Sequence, residues 1–169
     1  VVAAGPLANF VLAIIIFACI YIFVGKDFTP AQIQEVQKDS PAFINGLKKN
    51  DIILQIGDNK VNSILDVSTY INASVTDEIL FKVQRNQQEI SFLIKPKIIK
   101  SKDSLGNDIN RKVIGIKVAP INNEFSKEKL GPLKAIIYAS KETWFVTKTS
   151  LEFIFQLFQG RGDTSQLGG

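Results

Sequence analysis

The stretch "SPAFINGLKKNDIILQIGDNKV" (Ser40–Val61) decides the fold, because it places several local structures in a fixed order. Ser40 is suited to cap a short helix that begins at Pro41, and Gly46 predicts a left-handed residue that ends it. The segment Asp51–Val61 predicts an apolar strand, a tight turn and a returning strand. A short capped helix between strands and tight turns indicates a small β-rich domain.

The flanking sequence extends this pattern on both sides. Alternating apolar and polar residues predict a strand over Ala31–Val36, and Ser63–Ser74 predicts a helix with one apolar face. Further along, Glu78–Lys97 predicts a hairpin that turns at Arg85–Gln88. Residues 100–112 read as a polar loop, and Val113–Pro120 predicts a closing strand. The whole β-rich domain is therefore expected over residues 28–120.

Composition limits the functions that this chain can perform alone. It has 169 residues, a formal net charge of +4, no Met and no His. This length suits one compact domain with flanking elements, and the lack of Met predicts an internal piece of a longer protein. Without His, the commonest zinc ligand and general base are missing. The single Cys19 excludes an internal disulfide, and lysines that read as scattered predict no nucleic-acid partner.

The first 25 residues predict a transmembrane helix. Val1–Gly25 contains no charged residue, and Lys26 is the first. At about 1.5 Å per residue, this length covers a hydrocarbon core roughly 30 Å thick. The alternative is a buried helix of a soluble protein, which the lack of a polar stripe over Leu12–Val24 disfavours.

Three residues near the start of this segment are unusual for a helix that faces lipid. Asn9 is costly in hydrocarbon unless its amide finds partners, so it predicts a functional site. Gly5 lies four residues earlier on the same helix face, where another backbone could approach closely. Pro6 is tolerated in a first helical turn. The sequence leaves two interpretations open: Gly5 and Asn9 either join two helices or form part of a site.

The end of the chain predicts an amphipathic helix over residues 131–160. Its apolar stripe includes Trp144, and charged residues such as Lys141 and Glu142 lie off the stripe. That pattern is typical of a helix in the plane of the membrane surface, with Trp144 as an anchor. Packing against the β-rich domain is the alternative. Residues 161–169 are expected to form a loop that leads to a missing transmembrane helix.

The Ser40–Val61 stretch resembles the core signature of bacterial PDZ domains. The resemblance implies a groove between one strand and one helix that captures an extended peptide, with backbone amides receiving its terminal carboxylate. The groove residues that it implies are Ile114, Gly115, Ile116, Val67 and Ile71. Because the Gly115 loop comes last in the domain, the strand order is expected to be circularly permuted.

The order of a helix, a PDZ-like domain and an amphipathic helix resembles the RseP-type site-2 proteases, which are bacterial intramembrane zinc metalloproteases. "AAGPLANF" (Ala3–Phe10) resembles their second-helix motif, and "LGG" at the end of the chain resembles the start of their next conserved segment. The resemblance implies that Gly5, Pro6 and Asn9 bind the unwound backbone of a membrane-protein substrate. It also implies Zn2+ in the full-length parent, held by an HExxH helix upstream and an Asp downstream. Neither motif is present, so this fragment is expected to bind no metal and to be inactive alone.

Taken together, the sequence predicts an α+β chain with a transmembrane helix, a PDZ-like domain and a membrane-surface helix. The family resemblance implies an inner-membrane, multi-pass parent whose PDZ-like domain is extracytoplasmic, and substrates that are transmembrane segments or newly exposed C-termini. Charge alone does not predict the orientation. The alternative function is a membrane-anchored PDZ adaptor without enzymatic activity.

Overall fold

A computed structural model of the chain describes residues 4–102 and 108–158, and it has a mixed α+β fold. The helices are α1 (Ala4–Phe23), α2 (Pro41–Ile44), α3 (Ile64–Ala73) and α4 (Pro132–Phe158). The strands are β1 (Lys26–Asp27), β2 (Gln32–Val36), β3 (Ile52–Ile56), β4 (Asn59–Lys60), β5 (Ile79–Arg85), β6 (Gln88–Ile94), β7 (Lys97–Lys102), β8 (Asp108–Val113), β9 (Ile116–Ala119) and β10 (Lys127–Glu128).

The central sheet has the strand order β6-β5-β3-β2-β9, and β4 pairs with β3 at one end. All of these pairings are antiparallel. The last strand, β9, therefore lies beside β2, the first strand of this sheet, with Ile33 opposite Val118 and Val36 opposite Ile116. This topology brings together two segments that are far apart in sequence.

Helices α2 and α3 each begin at a capping residue whose side chain accepts a hydrogen bond from a backbone N–H group. The Ser40 hydroxyl accepts from the Phe43 amide at 3.2 Å, and Pro41 is the first helical residue. Ser63 and Asp66 form a reciprocal capping box at the start of α3. The apolar faces of these helices and the sheet enclose one core that includes Phe81, Ile33, Ile53, Val67 and Ile71.

A buried ion pair joins the stretch that follows α2 to the central sheet. The Asp51 side chain is fully buried, and its two oxygens accept from Arg85 Nε and Nη2, each at 2.7 Å. The same carboxylate accepts from the Lys48 amide at 2.8 Å, and Arg85 also donates to the Gly46 carbonyl at 2.8 Å. The hydrogen bond to Asp51 holds the pKa of Arg85 above its usual value. The paired charges thus hold the turn after α2 against β5.

The helices α1 and α4 form a second, smaller apolar cluster outside the domain. Small side chains on α4 allow the contact: Ala135 and Ala139, four residues apart, are fully buried. They lie with Ala18 and Tyr21 of α1 and with Leu130, just before α4. Small residues at this spacing are typical of closely packed helix pairs.

The two helices are tied together where they join the domain. Strands β1 and β10 pair antiparallel, and the backbone N–H of Leu130 donates to the Tyr21 carbonyl at 3.0 Å. The fully buried Thr29 hydroxyl bonds to Asp27 and accepts from the Ser126 amide at 2.9 Å. We call this region, residues 25–30 with residues 126–130, the clasp.

Among the residues that the structure describes, no helix has both the length and the apolar character needed to cross a bilayer. The predicted span begins at Val1, outside the described part, and the membrane-spanning helix over residues 1–25 stays a prediction. The predicted loop at residues 161–169 also lies outside the described residues.

Two local predictions are wrong. Within residues 100–112, read as a polar loop, residues 100–102 and 108–112 belong to the paired strands β7 and β8, in which Lys97 pairs with Val113 and Lys102 with Asp108. The lysines made this part of the chain resemble a loop, although the neighbouring β-branched residues Ile98 and Ile99 favour a strand. The closing strand over Val113–Pro120 is interrupted, because Gly115 has a φ of +79° and separates β8 from β9.

The ion pair gives a first testable prediction. Arg85→Met leaves the Asp51 carboxylate buried without its counter-ion, so we expect the free energy of unfolding to fall by about 3 kcal/mol or more. Lys82→Met on the same strand removes an equal charge from a half-buried position and should cost less than about 1 kcal/mol. Urea unfolding followed by circular dichroism measures both values. Equal losses in the two variants would contradict the structural role of the pair.

Candidate peptide groove and helix face

The loop of residues 114–116 is held tightly against the start of α2. The Ala42 amide donates to the Ile114 carbonyl at 2.9 Å, and the Gln37 amide donates to the Gly115 carbonyl at 2.9 Å. A Cβ added at Gly115 would lie 2.3 Å from the Cβ of Ser40. Both the positive φ and this close approach therefore require glycine at this position.

This anchoring sets the direction of two backbone amides. All described peptide bonds are trans, so the N–H of each peptide unit points opposite to its carbonyl. The carbonyls of Ile114 and Gly115 point toward residues 37–42, and the N–H groups of Gly115 and Ile116 consequently point away from that segment. Two successive N–H groups with a common direction can receive a carboxylate.

The five groove residues implied by the sequence are not equally accessible. Ile114, Val67 and Ile71 are buried in the core of the domain, whereas Gly115 and Ile116 are partly exposed. Three of the five residues thus belong to the core of the domain, and the backbone of the loop is the accessible part. Sequence reasoning identified Ser40 only as a helix cap, and it missed that Ser40 and Gln37 contact this loop from a distant part of the chain.

The predicted substrate-binding residues lie near the beginning of α1. Gly5 and Asn9 are both exposed, and no atom lies within 4 Å of a Cβ added at Gly5. Pro6 belongs to the same helix, but its side chain lies outside the described part of the structure. The helix contact between α1 and α4 uses other residues, chiefly Ala18 and Tyr21. In this structure Gly5 and Asn9 therefore do not join α1 to α4.

The apolar stripe of α4 faces away from the domain. The Trp144 side chain is 63% exposed, and the other members of the stripe are exposed as well. Those members are Leu133, Ile136, Ile137, Leu151, Ile154, Phe155 and Phe158. The opposite side of α4, with Ala135 and Ala139, makes the contact with α1. Packing against the β-rich domain, the alternative that the sequence left open, does not cover this stripe.

One cluster of charged and aromatic side chains lies where α1, β1 and α4 meet. Lys26 Nζ and the Tyr21 hydroxyl both lie 3.4 Å from Glu142 Oε2. The Lys26 ammonium also lies 4.9 Å from the centre of the Tyr21 ring and 5.7 Å from that of Tyr138. A half-buried cation between a carboxylate and two aromatic rings stabilises the junction of the two helices.

The helix α3 also touches α4. The rings of Tyr70 and Phe145 pack edge to face with centroids 5.0 Å apart. Burial raises the pKa of Tyr70 above its ordinary value, and the carboxylates of Asp66 and Glu142 raise it further. The helix that flanks the predicted groove is thus in direct contact with the helix that carries the exposed stripe.

The described residues do not form a metal site. Within residues 4–102 and 108–158, no three His, Cys, Asp or Glu side chains lie close enough together to hold a metal ion. The zinc that the resemblance implies therefore does not fit the side chains present in this part of the chain.

Comparisons with known proteins relate the chain to metalloproteases. The PDZ domain family model matches residues 25–95. Two relatives, one in Mesorhizobium japonicum and one in Agrobacterium fabrum, are named as zinc metalloproteases by inference. They are 31% and 32% identical to this chain, each over 99% of its length. The zinc metalloprotease RasP of Oceanobacillus iheyensis is 28% identical over 98% of this chain.

These matches cover only part of the relatives. The chain spans 46%, 45% and 37% of their respective lengths. The matched PDZ range includes β1 to β6 and ends before the loop of Gly115.

The Gly115 loop yields a prediction with an internal control. Gly57 also has a positive φ, +56°, but a Cβ added there meets no atom within 4 Å. Gly57→Ala should therefore cost only about 1 kcal/mol of backbone strain. Gly115→Ala adds the clash with Ser40, and we expect a loss of at least about 2 kcal/mol more.

Thermal unfolding followed by circular dichroism compares the two glycine variants. Shortening the obstructing side chain, as in Ser40→Gly combined with Gly115→Ala, should recover part of the loss. If the two single variants are equally stable, the close approach does not constrain the loop.

Proposed function

We propose that this chain is the central part of an intramembrane zinc metalloprotease. Its resemblance to the RseP-type site-2 proteases is confirmed by relatives that are named zinc metalloproteases and match nearly its whole length. In this proposal the parent cleaves transmembrane segments of membrane proteins that another protease has already trimmed. The observation that carries the proposal is this near-complete match, together with a PDZ domain in the same chain.

The first role that we propose for the chain is to hold substrate through Asn9. A helical substrate must unwind before its peptide bond is accessible, and its freed N–H and C=O groups then need partners inside the membrane. The Asn side chain supplies both a donor and an acceptor. The exposure of Asn9 and the open space beside Gly5 support this role, because a second backbone could approach there.

The second role is attachment to the bilayer. We propose that residues 1–25 span the membrane and that α4 lies at its surface with Trp144 as an anchor. The uncharged sequence up to Gly25 supports the first part. The exposed apolar stripe of α4 supports the second part, because contact with lipid would cover it.

The third role belongs to the PDZ domain. We propose that it admits trimmed substrates, either by excluding large extracytoplasmic domains or by capturing a newly exposed C-terminus along β9. The common direction of the Gly115 and Ile116 amides supports the capture of a carboxylate. The location that we propose is the bacterial inner membrane, with the domain on the periplasmic side.

The zinc site is proposed to lie outside this chain. The resemblance implies an HExxH helix upstream and an Asp downstream, and the described residues offer no group of ligands of their own. The residues of this chain would therefore bind and orient the substrate.

Substitution of Asn9 in the full-length protein tests the proposal. We expect Asn9→Ala to lower the rate of cleavage of a membrane-embedded substrate about tenfold, because unpaired backbone groups raise the cost of holding the unwound strand. Cys19→Ser, also exposed on α1 but farther along it, is the matched control and should keep full activity.

Zinc content and thermal stability should be unchanged in both variants. Full activity of Asn9→Ala would exclude the role of the amide. Absence of protease activity in the unmodified full-length protein would exclude the enzyme and leave a membrane-anchored peptide receptor.

The groove is tested separately with peptides. We expect fluorescein-labelled peptides with a free C-terminus to bind the purified chain at least about tenfold more tightly than the same peptides with a C-terminal amide, because amidation removes the charge that the two N–H groups receive. Fluorescence anisotropy measures both affinities. Equal affinities would favour a domain that acts by size exclusion.

A further inference from the structure

The hairpin of β7 and β8 holds the net positive charge of the protein. The two strands, residues 97–102 and 108–113, contain five of the twenty Lys and Arg and one of the sixteen Asp and Glu, so together they have a charge of +4. The remaining residues hold fifteen of each sign and are neutral as a group. The basic residues are spread along the chain, but their excess over acidic residues is concentrated in this one structural element.

Both faces of this hairpin combine basic and apolar side chains. Alternate residues of a strand share a face, so Ile98 lies with Lys100 and Lys102, and Ile99 lies with Lys97. Arg111 is paired with Ile99 across the ribbon. The side chains of Ile98 and Ile99 are 66% and 44% exposed. Each face of the ribbon thus presents one isoleucine side chain among basic side chains.

The hairpin stands apart from the central sheet but is anchored at its base. Within the described residues, β7 and β8 pair only with each other. The Lys112 amide donates to the Asn72 side chain at 3.0 Å, and Lys112 Nζ donates to the Ser74 carbonyl at the end of α3. A two-stranded ribbon is marginally stable alone, so these bonds hold it in a defined position.

That position is next to the second half of α4. Ser74, whose carbonyl accepts from Lys112, also lines a cavity of about 240 Å³ together with Phe145, Lys148 and Glu152 of α4. The exposed apolar stripe continues along this part of α4 through Leu151 and Phe155. The hairpin and the stripe therefore lie at the same end of α3.

We propose that the β7–β8 hairpin is a second membrane-contact surface, which binds the headgroups of anionic phospholipids and inserts Ile98, the more exposed of the two isoleucines, between them. Anionic lipid surfaces attract clustered Lys and Arg within a Debye length, about 8 Å at physiological salt. Lysines on an exposed strand also prevent aggregation, but that role requires neither exposed isoleucines nor the concentration of the net charge. The inference rests on the membrane attachment proposed above.

The full chain, with Cys19→Ser and Ile98→Cys, carries an environment-sensitive fluorophore at position 98 for the test. It is reconstituted into vesicles of phosphatidylcholine alone or with roughly one-third phosphatidylglycerol, each with a headgroup-linked quencher. We expect quenching at least about threefold stronger with phosphatidylglycerol, and its loss in 1 M salt, where the Debye length is about 3 Å.

Charge variants make the test specific. Lys100→Glu with Lys102→Glu should abolish the quenching, and Lys100→Arg with Lys102→Arg should retain it. Lys48→Glu with Lys49→Glu makes the same change of charge at exposed positions outside the hairpin and should leave the quenching unchanged.

Several results would overturn the inference. Equal quenching in both kinds of vesicle would mean that charge does not direct the contact, and no quenching in either would mean that the hairpin is solvated. A change in fluorophore emission that is larger with soluble polyglutamate than with vesicles would identify an acidic protein as the partner instead. Vesicle flotation reports membrane attachment independently, so flotation without quenching refutes the hairpin contact and leaves the proposed attachment standing.

Discussion

The contact between Gly115 and Ser40 is the constraint on which the domain depends. It brings the last part of the domain against the cap of its first short helix, so that the carbonyls of Ile114 and Gly115 bond to residues 37–42. These bonds place β9 beside β2, with Ile116 opposite Val36. The direction of the accessible amides in the loop follows from the same bonds. One steric requirement, the absence of a Cβ at residue 115, thus links the closure of the sheet to the geometry of the candidate peptide site.

A second set of contacts couples the domain to the helices. The clasp joins the exit of α1 to the entry of α4, and Lys26 lies between Glu142 and the rings of Tyr21 and Tyr138. Packing of Tyr70 against Phe145 connects α4 to the helix beside the groove. The proposed groove is therefore held in a fixed relation to α1, which carries Asn9. That relation fits the proposed role of the domain in selecting substrates for an intramembrane site.

The exposed surfaces follow a consistent division. The small residues of α4 face α1, and its large apolar residues remain exposed together with Trp144. The basic hairpin extends from the same end of α3 that contacts α4. An apolar stripe and a cationic ribbon on neighbouring elements match the two parts of a bilayer surface, its acyl boundary and its anionic headgroups.

Local signals were sufficient to predict much of this protein. The cap at Ser40, the apolar face of the helix over Ser63–Ser74, the alternation of β2, the apolar run of β3 and the apolar stripe of α4 all act over a few residues, so they are visible in the sequence. The resemblance to RseP-type proteases, which the relatives confirm, depended on two such local motifs. Composition and spacing alone would have led only to a tethered peptide binder.

Contacts between distant segments were decided only by the tertiary structure. The residue pattern placed Gly115 inside a strand and the family resemblance placed it in a loop, but neither showed its contact with Ser40, which lies far away in sequence. Residues 100–102 and 108–112 looked like parts of a loop, because only pairing across the ribbon and anchoring on α3 reveal them as strands. The pairing of α1 with α4 through Ala135 and Ala139 was likewise invisible, since small residues signal close packing only when a partner is present. Where the deciding forces are local, the sequence determines which elements form. Which of these elements contact one another is decided by the tertiary structure.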